Sequence, residues 1–177
     1  MLKEYFPFLK KDMIEVLQYI PFVFVLGLLI SLLVLLISHL FKKKWTMRKS
    51  FILFLLVCYG IMVLEIAFFS REPGSRIGLA LGIGDTWGDT SRAQTYVIEN
   101  VLMYLPFGIL FPLFGRRATL SCVPVAFISS VLLELIQWIS QRGYAQVDDV
   151  IANTLGAAIG CIVSVVVFKI FFQERRE

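Results

Sequence analysis

Five apolar runs constrain this chain more than any other feature. They cover Leu17–Phe41, Phe51–Phe69, Val97–Phe114, Thr119–Ile139 and Val150–Phe172. A bilayer crossing needs about 20 predominantly apolar residues, and each run reaches or approaches that length. In lipid, a run of this length must satisfy its backbone internally, which selects the α-helix. The reading is an all-α polytopic membrane protein, a bundle of about five transmembrane helices. The runs leave no stretch long enough for a separate soluble domain, so residues 1–177 are read as one integral membrane domain.

Basic residues set the expected orientation. Lys42, Lys43, Lys44, Arg48 and Lys49 lie between the first two runs, Arg116 and Arg117 between the third and fourth, and Arg175 and Arg176 after the fifth. The positive-inside rule places these segments in the cytoplasm. The N-terminus, the Ser70–Tyr96 loop and the Ser140–Asp149 loop then face outward, and the C-terminus faces in. Lys3, Lys10 and Lys11 oppose this order, but five crossings require the two ends on opposite sides. The first run is too long for a signal-peptide core and reads as a retained span. The expected location is a cell membrane, crossed several times.

The net charge of +4 conceals a division. Among the acids, only Glu174 and Glu177 fall on the predicted inner side. The basic segments are explained as topology signals and anchors at anionic lipid, and nothing supports nucleic-acid binding. Membrane lipids are the expected partners, and the sequence is silent on oligomeric state.

Several residues read as structural. Cys58, Cys122 and Cys161 all fall inside apolar runs without a CxxC spacing, which argues against a disulfide framework or zinc site. The single His39 sits at the interface beside the lysines. In GDTWGDT, from Gly84 to Thr90, Trp87 reads as an interfacial anchor, and Asp85 and Asp89 lack the spacing of a calcium loop. No cofactor or metal is expected.

The informative residues are polar ones inside or beside the runs. Ionisable groups in lipid are costly and face the bundle interior or water. Glu134 lies about 8 Å below the outer end of the fourth run at ~1.5 Å per residue. Gln137 and Gln141 follow at i+3 and i+7, on one expected face. In the fifth run Asp149, Asn153, Gly156 and Gly160 form a second stripe, with the glycines spaced for close helix approach. The short connection makes these two helices antiparallel neighbours, with Glu134 and Asn153 at similar depth. Asn100 enters the third run with Glu99 before it and Tyr104 at i+4. Beyond Glu65, Arg71 is the cation best placed to meet the outer acids, with Arg76 further along.

Each residue also has a structural reading. Asp148 caps a helix start, Gln137 and Asn153 join helices by hydrogen bonds, and Glu134 pairs with an arginine. Glu65 and Glu99 form a solvated rim, and Pro106 with Gly108 bends a helix.

Three stretches together resemble the VanZ-like family: ENVLMYLPFGIL, LLELIQWISQRGYAQVDDVIANTLGAAIG and the preceding SREPGSR. The shared pattern is an N-x-x-x-[FY]-x-P-F-G helix, an E-x-x-Q helix, a glycine-containing turn and D-D-x-x-x-N-x-x-G-x-x-x-G. Asn100, Pro106, Phe107, Gly108, Glu134, Gln137, Asp148, Asp149, Asn153, Gly156 and Gly160 occupy those positions, and the similarity covers about Glu65 to Gly160. The resemblance implies a multi-pass membrane protein linked, in some members, to resistance to teicoplanin and related lipoglycopeptides. Those drugs bind the D-Ala-D-Ala end of wall precursors outside the membrane.

Three mechanisms follow. In the first, Arg71, Asn100, Glu134, Gln137, Asp148, Asp149 and Asn153 form an outward polar pocket. It binds a lipid-linked wall precursor or the lipid-tailed antibiotic. In the second, Glu134 and Asp149 are an intramembrane acid–base pair acting on a lipid-linked or phospholipid substrate, although no nucleophile accompanies them. The third is transport, which five spans without an internal repeat fit poorly.

Overall fold

The structure, a computed structural model, describes residues 2–74, 76–85 and 90–173. Its helices are α1 (Leu2–Leu17), α2 (Ile20–Leu40), α3 (Met47–Leu64), α4 (Ser91–Leu110), α5 (Arg116–Ile139) and α6 (Val147–Gln173). Two short strands, β1 (Arg76–Ala80) and β2 (Arg142–Gln146), complete it. Among the described residues, five segments are long and apolar enough to cross a membrane: Ile20–Leu40, Met47–Phe69, Ser91–Phe114, Arg116–Ile139 and Val147–Lys169. This is the multi-pass helical bundle that the apolar runs predict.

Local chemistry sets the helix ends. Pro21 lies in the first turn of α2, where its missing N–H costs nothing. Thr46 and Thr90 cap α3 and α4, their hydroxyls accepting from the Lys49 and Ala93 amides at 3.3 and 3.2 Å. Pro106 and Pro124 lie inside unbroken helices. After Leu110 the chain tightens into a 3-10 turn, Phe111–Phe114, and Gly115 with φ 130° releases it into α5. At the far end of α3 the helix widens into a π-turn, Glu65–Phe69, closed by the Ser70 amide on the Glu65 carbonyl.

Small residues do the packing, as bilayer-embedded helices require. Gly108, Gly156 and Gly160 bring α4 and α6 into backbone contact. A Cβ on Gly156 would strike the Val101 carbonyl, one on Gly160 the Leu105 carbonyl, and one on Gly108 the Ala157 carbonyl. The glycine stripe of α6 therefore meets α4, and Gly108 is part of that seam. Tyr104, Ala126 and Ala157 form a buried cluster beside it, and Val63, Ala67 and Leu133 form another. α2 sits outside this core, with Val23, Gly27 and Ser31 buried along one stripe. Its Gly27 accommodates the Cys58 sulfur of α3.

The loop sets separated by charge lie at opposite ends of the bundle. At one end Lys43 approaches Trp45, Trp45 meets Phe114 edge-on and Arg48 covers Phe168. At the other, β1 and β2 pair in parallel, from Arg76 opposite Arg142 to Ala80 opposite Gln146.

Three expectations change. The N-terminal segment is a helix of its own, α1, docked on α4 by an Asp12–Arg92 ion pair of 2.6 Å. The two loops expected to face outward, read as irregular, contribute a two-stranded sheet to an otherwise helical fold. Gln141 does not continue the Glu134–Gln137 face: α5 ends at Ile139, and Gln141 turns left-handed with φ 56°. Trp87 and Asp89, Glu174, Arg175, Arg176 and Glu177 lie outside the described residues.

Candidate functional site

At the sheet end of the bundle α5 carries Ser130, Glu134 and Gln137 on one inward face, all less than 10% exposed. Spacings of four and three residues keep them aligned on a helix. One Glu134 oxygen accepts the Gln146 amide at 3.0 Å, which joins the last residue of β2 to the carboxylate. The Gln137 amide donates to the Ala67 carbonyl at 2.7 Å. Arg142 donates from one nitrogen to the Phe68 and Arg71 carbonyls at 3.1 and 3.0 Å and stacks on the Phe68 ring. Gln137 and Arg142 thus tie α5 and β2 to carbonyls of the π-turn and its exit, the Phe68 carbonyl also accepting the Arg71 amide at 3.2 Å.

The glycine in the α5–α6 connection has a specific reason. A Cβ on Gly143 would stand 2.8 Å from a guanidinium nitrogen of Arg71 and 3.2 Å from the Cβ of Gln137. Gly143 therefore lets Arg71 lie flat over this corner. From there the Arg71 charge acts on both Glu134 and Asp149. Asp149 also interacts electrostatically with Glu134, and the Asn100 side chain of α4 faces it. Arg71, Asn100, Glu134 and Asp149 consequently form one cluster, contributed by the α3 exit, α4, α5 and α6.

The other predicted site residues fall around it. Gln137 borders the cluster beside Arg71. Asn153 is fully buried and donates to Ser130 at 2.8 Å. Ser130 lies one turn deeper than Glu134, so Asn153 sits below Glu134 rather than level with it. Asp148 accepts the Gly84 amide at 2.8 Å, tying the loop after β1 to the start of α6, and its charge also acts on Asp149. It lies in the first turn of α6, where a carboxylate complements the helix dipole. Among the described residues no three His, Cys, Asp or Glu side chains converge as a metal-binding set.

Sequence reasoning missed Ser130, Arg142 and Gly143. Ser130 was detectable as the i−4 neighbour of Glu134. Arg142 and Gly143 act through contacts with the π-turn, which no local pattern announces. A second charged group was also missed. Arg92 pairs with Asp12, lies 3.8 Å from Glu99, and stacks on Phe8 and Tyr96. Glu99 therefore belongs to the α1 docking contact rather than to a solvated rim.

A family profile described as VanZ/LLP1 matches residues 4–170, nearly the whole chain. The chain belongs to the VanZ/LLP1 family. Protein VanZ of Enterococcus faecium is 34% identical over 65 residues, which cover 36% of this chain and 40% of that protein. The match thus spans less than half the length of that relative. No solved structure matches the chain significantly. The mixed cluster of Arg71, Asn100, Glu134 and Asp149 is therefore what distinguishes one end of this VanZ/LLP1 bundle from the basic other end.

Proposed function

We propose that this family member resides in the bacterial plasma membrane with the polar cluster outward, and that it binds a polar headgroup there. The ligand is a lipid-linked wall precursor or a lipid-tailed glycopeptide such as teicoplanin. The consequence is lipoglycopeptide resistance or another cell-envelope function. The observation that carries this reading is the meeting of Arg71, Asn100, Glu134 and Asp149 at the end opposite the basic loops. A guanidinium, an amide and two carboxylates offer both donors and acceptors, as sugars and peptide groups require. Apolar helix faces alongside suit a lipid tail.

The test is teicoplanin susceptibility of a sensitive bacterium expressing the chain, beside Glu134→Gln and Asp149→Asn at matched membrane levels. The expected result is protection by the original chain and loss in both variants, with parallel loss of precursor or teicoplanin binding by purified protein. Protection by all three would make the carboxylates structural and remove the reading.

A second reading is supported by the electrostatic contact of two carboxylates, Glu134 and Asp149, in one partly desolvated site. Such pairs serve acid–base chemistry elsewhere. Here the reading is an intramembrane enzyme acting on a lipid-linked substrate. A changed lipid-precursor profile that disappears in Glu134→Gln would favour it, and an unchanged profile would exclude it.

A further inference from the structure

Three helices repeat the same arrangement at two depths. α4 carries Asn100 and Tyr104, α5 carries Glu134 and Ser130, and α6 carries Asp149 and Asn153. Each pair is four residues apart, so one side chain lies above the other on a single face. The upper residues are those of the charged cluster. The lower residues, Tyr104, Ser130 and Asn153, are neutral, and each is at most 4% exposed. They are linked through α5: Asn153 donates to Ser130 at 2.8 Å, and the adjacent Ser129 hydroxyl donates to the Tyr104 hydroxyl at 3.3 Å. Tyr59 of α3 adds a fourth group near this level: its ring and that of Tyr104 each lie 6.4 Å from the Phe107 ring.

Two polar atoms of this lower tier are buried with no hydrogen-bond partner among the described residues. They are the side-chain oxygen of Asn153 and the hydroxyl of Tyr59. Exchanging the oxygen and nitrogen of Asn153 would not remove the deficit, since an unpaired N–H edge would replace the unpaired oxygen. Buried polar groups almost always find a partner, and lipid around the bundle offers none. A single group that served both would accept from Tyr59 and donate to Asn153, or the reverse if the amide is turned. It must also be uncharged, because this tier holds no counter-charge. A hydroxyl meets each condition.

We infer that Tyr59, Tyr104, Ser130 and Asn153 form a neutral hydroxyl-binding subsite one helical turn beneath the charged cluster. The hydroxyl comes from a trapped water molecule or from an alcohol group of an amphiphile whose head occupies the upper tier. The inference deepens the headgroup-binding reading and rests on it for the amphiphile, while its hydrogen-bond chemistry stands without it.

The experiment is thermal unfolding of the full chain in lipid nanodiscs, comparing the original protein with Tyr59→Phe. Each is measured alone, with monoolein and with methyl oleate, which has the same tail and no hydroxyl. If the Tyr59 hydroxyl is bonded, Tyr59→Phe lowers the Tm by about 2–4 °C, the shift expected for one hydrogen bond in a chain of this size. A further rise with monoolein alone, absent in Tyr59→Phe, assigns the hydroxyl to an amphiphile. The same loss with neither additive acting assigns it to water. An unchanged or higher Tm in Tyr59→Phe overturns the subsite, because removing an unpaired buried hydroxyl does not destabilise. Failure of the teicoplanin experiment would remove the headgroup reading and leave this outcome untouched.

Discussion

Gly156 of α6 rests directly on the backbone carbonyl of Val101 in α4, with no space for a Cβ between them. The contact sets the spacing of the two helices that carry Asn100 and Asp149, whose side chains interact one to two turns away. Packing in the middle of the bundle therefore sets geometry at its end.

Gly156→Ala is expected to destabilise the protein by about 1–3 kcal/mol, because the obstructing atom is backbone and the helices must separate. Gly60→Ala is the control. Nothing lies within 4 Å of a Cβ there, and removing a helical glycine is neutral or stabilising by up to ~1 kcal/mol. Thermal unfolding of the purified variants measures both.

Replacing Glu134 separates its charge from its hydrogen bond. Glu134→Gln keeps an oxygen for the Gln146 amide, and Glu134→Ala leaves that amide unpaired. The alanine variant is expected to lose about 1–3 kcal/mol and the glutamine variant less. Equal losses in a denaturation series would show that Glu134 does not anchor β2.

Gly143→Ala puts a methyl group against Arg71 and Gln137. The guanidinium must move away from Glu134 and Asp149, so the variant is expected to reduce teicoplanin protection as Arg71→Ala does, at normal membrane levels. Parallel susceptibility assays check this, and full protection by Gly143→Ala would detach Arg71 from function.

α1 docking has a defined acid limit. Burial works to raise the Asp12 carboxyl, but its hydrogen bonds with Glu99 and Arg92, and the Arg92 charge, outweigh burial and hold it below the ordinary carboxylate range. A depressed carboxyl contributes stability that is present above its unfolded value and lost as pH falls through the folded one. α1 should therefore stay docked at neutral and mildly acid pH and loosen only below about pH 4. Hydrogen exchange of the α1 amides at pH 6 and pH 3 tests this, and Asp12→Asn should show the loosened pattern already at pH 6.

Orientation is accessible to labelling. A cysteine at Ile83 is expected to react with an impermeant maleimide in intact cells, and one at Lys44 only after lysis. The reverse pattern would turn the polar cluster toward the cytoplasm.

The five spans were legible because length and hydropathy act locally. The convergence of Glu134, Asp149, Asn100 and Arg71 was legible too, since polar residues at helical spacing in lipid have few places to face. α1 was not: Lys10, Lys11, Asp12 and Glu15 interrupt its apolar residues, and its docking depends on Arg92, far along the chain. The sheet was hidden for a similar reason. β1 and β2 are short and contain glycine, and they are defined by pairing with each other. Asp148 and Asp149 look equivalent in sequence, yet a helix turns successive residues about 100° apart, and they diverge to a loop amide and to the cluster.

The parallel pairing of β1 with β2 also dictates an order of assembly. A chain entering the membrane from its N-terminus completes β1 at the cluster end of the bundle once α3 has been threaded. That strand has no mate until α4 and α5 have both been threaded and β2 has emerged. Only then can α6 close on α4 and bring Asp149 to Asn100. The polar cluster is consequently the last part of the molecule to exist during biogenesis, and a ribosome that stops before α6 leaves a four-span intermediate without it.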